Sequence, residues 1–147
     1  MGGRLHGWRA LPPSERAVLL RLLLGLPLVS ISLRLLDYKR TRSLMEWMSR
    51  HPQPRVASIA EVRDADRLAQ LAAMAGNRGV VKATCLRQAL LVHATLRRSG
   101  LQPELKLGVR REDGGIAAHA WVELGGQRLA QTQVDFAAFD EPPAVAP

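Results

Sequence analysis

Residues 105–134, LKLGVRREDGGIAAHAWVELGGQRLAQTQV, decide the fold class. Leu105 to Arg110 alternate between two sets of side chains, and that period of two marks a strand. Arg111 to Gly115 reads as a turn, and Ile116 to Leu124 as a second strand. Gly125-Gly126 supplies a two-residue hairpin turn, and Gln127 to Val134 a third strand. Beyond Phe136 the prolines Pro142, Pro143 and Pro147 suggest a frayed end.

Upstream of this segment the period is helical. Thr84 to Ser99 places Leu86, Ala89, Leu90, Val92, His93 and Leu96 at core-helix positions. Gly100 caps its end, after Arg97 and Arg98 complement the dipole. Ser58 to Ala75 is a second helix, with Ile59, Val62, Leu68, Leu71 and Met74 on one face, and Gly76-Asn77-Arg78-Gly79 stops it. Helices followed by an antiparallel meander make an α+β protein.

The first part of the chain is a leucine-rich run. Ala17 to Leu36 predicts a helix kinked near Pro27, starting at Ser14 and Glu15. A spanning helix needs about 20 nearly uncharged residues. Arg21 and Arg34 leave only the twelve residues between them free of charge, and no small-residue cleavage motif follows. The run is therefore expected to pack on the domain or on a partner, or to lie on a membrane surface. Leu44 to Ser49 continues the helical region until His51-Pro52-Gln53-Pro54 breaks it. The expected division is an N-terminal helical arm at 1–51 and a catalytic body at 52–147.

The 147 residues suit one domain, and 47% hydrophobic with 23% charged residues suits a globular chain. With 4% aromatic residues, the core must be built from Leu, Val and Ala. The net charge of +8 favours acidic partners, although arginines on solvated faces account for it more simply. One cysteine excludes an internal disulfide and a zinc site of several thiolates, and fits a reducing, cytoplasmic compartment. No glycine loop carries the Lys-Ser/Thr of a phosphate-binding motif, so no cofactor is expected.

Cys85 follows Thr84, a potential N-cap, at the start of a predicted helix. There the unpaired N–H groups and the dipole favour a thiolate and can hold an oxyanion. His119 alternates onto one strand face with Trp121 and Glu123, away from Ala118, Ala120, Val122 and Leu124. The helix carrying Cys85 is expected to cover the His119 face, which would make a thiol–imidazole pair. Pairing across the Gly125-Gly126 turn puts His119 beside Gln131, Thr132 or Gln133. Gln131 is thus the candidate third member, with Asp135 as the alternative. His93 reads as a satisfied buried histidine.

Four blocks carry a resemblance: Thr84 to Leu90, Leu96 to Gly100, Leu107 to Arg110, and Ala118 to Gly126. Together they resemble the leader-peptidase family of lasso-peptide biosynthesis, the catalytic half of the split B protein. The resemblance covers roughly Ser58 to Phe139, and the leucine-rich arm is similar to the family's N-terminal helices. It implies a transglutaminase-like (papain-like) fold and a cysteine peptidase that removes the leader from a precursor peptide. Cys85 and His119 match the family's nucleophile and base. An Asp of the family falls at Gln131, a departure that an orienting amide or Asp135 would have to make good. The implied partners are the precursor, a separate leader-recognition protein and, through the arm, the macrolactam synthetase; no nucleic acid is implied. The departure at Gln131 motivates one alternative, a non-catalytic precursor-binding module. Transglutaminase-type acyl transfer is another.

Overall fold

The structure is a computed structural model. It describes residues 11–78, 84–130, 137 and 138. Four helices occur among them: α1 (Pro13–Leu35), α2 (Tyr38–Met48), α3 (Ile59–Arg78) and α4 (Cys85–Arg98). The strands are β1 (Glu104–Glu112), β2 (Gly115–Leu124), β3 (Gln127–Arg128) and β4 (Ala137–Ala138), in the antiparallel order β3-β2-β1-β4.

Local chemistry sets most helix ends. α1 starts at Pro13 with Pro12 in the cap position and no side-chain cap, so Ser14 lies inside the helix. Proline suits that first position, because its missing N–H would have had no partner there. The helix continues through Pro27. Asp37 accepts the Arg40 N–H at 2.9 Å and starts α2. Ser58 and Glu61 form a reciprocal capping box before α3: the Glu61 carboxylate accepts the Ser58 N–H at 2.9 Å, and the Ser58 hydroxyl accepts the Glu61 N–H at 3.3 Å. Arg55 pairs with the same carboxylate. Its hydrogen bonds, first to Arg55 and then to Ser58, hold Glu61 down at about 2.

α3 continues through Gly76 to Arg78, within the Gly76–Gly79 stretch expected to stop it. A Cβ on Gly76 would run into the Gln88 side-chain amide, so this glycine leaves room for Gln88 of α4. A Cβ on Gly25 would likewise meet Leu91 Cδ1 at 2.9 Å, where α1 approaches α4. Alanines do the same at lower cost to helix propensity. Ala72 and Ala75 on α3 are fully buried.

The sheet departs from expectation in three places. Arg111, Glu112 and Gly115 belong to the β1–β2 ladder, which leaves only Asp113-Gly114 as the turn. At the next turn Gly125 and Gly126 have φ of +60° and +77°, the backbone that a two-residue hairpin demands. β3 pairs Glu123 with Arg128 and Leu124 with Gln127, then the ladder ends. Ala130 has φ +49°, and its N–H turns away to Asp66 Oδ1 on α3 at 2.7 Å. Finally, Ala137 and Ala138 are not frayed; they pair with Val109 and Gly108 on the far edge of β1.

The core is aliphatic, as the composition requires. It joins Leu19, Leu22 and Leu26 of α1 to Leu71 of α3, to Ala89, Val92 and Leu96 of α4, and to Ala120, Val122 and Leu124 of β2. α1 is therefore packed on α3 and α4. Arg67 of α3 grips the Glu15 carboxylate with two hydrogen bonds of 2.9 and 2.8 Å, which lower the Glu15 pKa.

Candidate active site

Cys85 is the first residue of α4 and is half-buried. Thr84 occupies the cap position in extended conformation, but its side chain makes no cap hydrogen bond. The first turn also contains no acidic residue. Neither a capping oxygen from Thr84 nor a local carboxylate competes for the N–H groups at this helix end, which is the arrangement an anion needs.

The core places α4 against Ala120, Val122 and Leu124, the opposite parity from His119. This corrects the expectation that α4 covers the face bearing His119. Alternation fixes which residues share a face, but the layer that covers it is a tertiary choice. Cys85 and His119 nevertheless line one pocket of about 110 Å³. Leu129 and Ala130, where the chain leaves the β3 ladder, line it too.

His119 is half-buried and belongs to an ordered stack. Its ring lies against Trp121 with centroids 6.1 Å apart and planes at 21°. Trp121 is only 6% exposed; its Nε1 donates to Glu123 Oε1 at 2.9 Å. The Arg128 guanidinium sits 4.1 Å from the centre of the same indole. Burial first, and the Arg128 charge second, lower the His119 pKa. The imidazole is therefore neutral near pH 7 and able to accept a proton.

Two further residues shape the site without having stood out in the sequence. Gln88 lines the pocket one turn after Cys85, with its amide packed over Gly76. Its spacing of three from the cysteine is the signal that identifies it. Asp66 anchors Ala130 at the pocket wall across 64 positions of sequence, and no local pattern announces such a contact. Gln131 and Asp135, the candidate third members, lie outside the described residues, as does His6.

The other histidines are elsewhere. His93 is buried in α4, bonded to the Pro103 backbone, and pushed down to about 4, chiefly by burial. The His51 ring rests near Gly100, which ends α4 with φ +83°. No group of three or more metal-ligating side chains occurs among the described residues.

No curated protein and no solved structure matches the chain. A family model described as Transglutaminase-like superfamily matches residues 27–141, from the middle of α1 to beyond β4. Four helices with a small antiparallel sheet are consistent with that fold, whose members are typically cysteine-dependent enzymes. The chain belongs to the transglutaminase-like superfamily.

Proposed function

We propose that the chain is a cysteine peptidase that cleaves the leader from a lasso-peptide precursor, with Cys85 as nucleophile and His119 as general base. The observation that carries this reading is the shared pocket: a thiol at the amino end of α4 and a neutral imidazole from β2 line the same small cavity. The superfamily, which includes cysteine peptidases and acyltransferases, and the four resembling sequence blocks support it.

His119 takes the Cys85 proton as sulfur attacks the scissile carbonyl and a C–S bond forms. The oxyanion rests on the open N–H groups of α4. Collapse breaks the C–N bond, and the imidazolium returns the proton to the departing amine of the core peptide. Water, deprotonated by His119, then attacks the thioester; the C–S bond breaks, releasing the leader carboxylate and restoring the thiol. Substrate delivery falls to a separate leader-recognition protein, and the freed amine is the group that a macrolactam synthetase would acylate.

The test is incubation with the precursor, with and without the recognition protein, followed by intact-mass measurement. The expected products are two peptides whose masses sum to the precursor plus one water. Cys85→Ala should lose cleavage by at least about a thousandfold, as expected for loss of a covalent nucleophile, with an unchanged circular dichroism spectrum. Undiminished cleavage in that variant would refute the assignment. A crosslinked product with loss of ammonia would instead identify an acyl transferase.

A further inference from the structure

The solvent side of α1 is apolar, where a surface helix is ordinarily polar. Leu20, Leu24, Leu28, Ile31 and Leu35 form one stripe, all more than half exposed, with Leu35 at 78%. The opposite side carries Leu19, Leu22, Leu26 and Val29 into the interior. The helix is thus apolar on both sides and covered on one. α2 extends the bare surface with Trp47, 68% exposed, and with Leu44 and Met48, which face Leu28 across a shared groove. Contiguous apolar surface of this kind marks an interaction site.

Charge indicates what covers it. Residues 11–50 hold seven cations and three acids. Each acid is already paired within the fold: Glu15 with Arg67, Asp37 with Arg40, Glu46 with Arg42. Arg21, Arg34, Lys39 and Arg50 have no ion-pair partner among the described residues. On the helical wheel Arg21 and Arg34 fall on the two flanks of the leucine stripe, and both are exposed. A leucine ridge bordered by cations, with an exposed tryptophan beside it, matches the boundary between acyl chains and anionic headgroups.

We propose that α1 and α2 dock the chain on an anionic phospholipid surface. By length and hydropathy α1 could cross a bilayer. Its inner side fills the core against α3 and α4, however, so it lies flat with the outer stripe immersed. The arginines reach the phosphates while the leucines enter the acyl boundary.

Co-sedimentation of the full chain with vesicles tests this. Binding is expected to phosphatidylcholine vesicles containing phosphatidylglycerol and not to phosphatidylcholine alone, and it should weaken as salt rises. The triple variant Leu24→Ser, Leu28→Ser, Trp47→Ser should lose at least about ten-fold in partitioning, and so should Arg21→Gln with Arg34→Gln. Circular dichroism should stay that of the parent chain in both. Cys85→Ala should bind as the parent does, which separates this proposal from the peptidase reading. Equal binding to both vesicle types, or to neither, would overturn it. So would a dimer in solution that the serine variant dissociates, because the stripe would then be covered by a second copy.

Discussion

At Cys85 the backbone supplies what the side chains of its own turn do not. Thr84 leaves the helix end uncapped by its hydroxyl, and no carboxylate stands in the first turn. The imidazole depends instead on its neighbours, since Trp121 stacks on it and Arg128 lies across the far partner of that stack. Arg128 also lowers the His119 pKa, so removing its charge should raise it. If His119 is the base, it works when neutral, and activity rises as pH climbs through its pKa. Arg128→Gln is therefore expected to move the rising limb of the pH–kcat/KM profile to higher pH. A limb that stays in place would show that another group governs it. His93, held near 4 by burial, is not that group.

Among the elements, α3 shows what is and is not legible in a sequence. Its start is local chemistry, since the Ser58–Glu61 box is written in four consecutive residues. Ser58→Ala should cost about 1 kcal/mol in urea melts. Glu61 sits near 2 in the fold against 4.5 ordinarily, so its contribution is complete above pH 4.5 and fades as pH falls toward 2. Glu61→Gln is expected to flatten the acid side of the stability profile in that window. The role of Gly76 is not local, because it looks like a terminator and serves as a packing site for Gln88. Gly76→Ala should leave stability within about 1 kcal/mol, helix propensity offsetting the displaced Gln88 amide. It should still lower turnover, and by no more in a Gln88→Ala background; additive losses would show that Gln88 is not the route. The Gly125-Gly126 hairpin was equally legible, its two positive φ angles being available to glycine at little cost. β4 was not, since two alanines carry no alternation and find their edge only when β1 exists.

Across the whole molecule the leucine-rich first helix is a structural member of the core. Leu26→Ala, at a site 3% exposed, should cost about 3 kcal/mol in a cooperative denaturant transition. A loss below about 1 kcal/mol would show that α1 is dispensable to the body. The α+β order and the pairing of β1 with β2 could both be anticipated from period and position. Which face α4 covers, and how Asp66 fixes the pocket wall, could not, because both depend on contacts between residues far apart in the chain. The same remoteness has a consequence during synthesis. The sulfur-bearing helix leaves the ribosome before the hairpin that brings the imidazole, so a nascent chain carries only one wall of the shared pocket. If the pair acts as the proposed nucleophile and base, nothing nearby can be cleaved until β2 has emerged and joined α4.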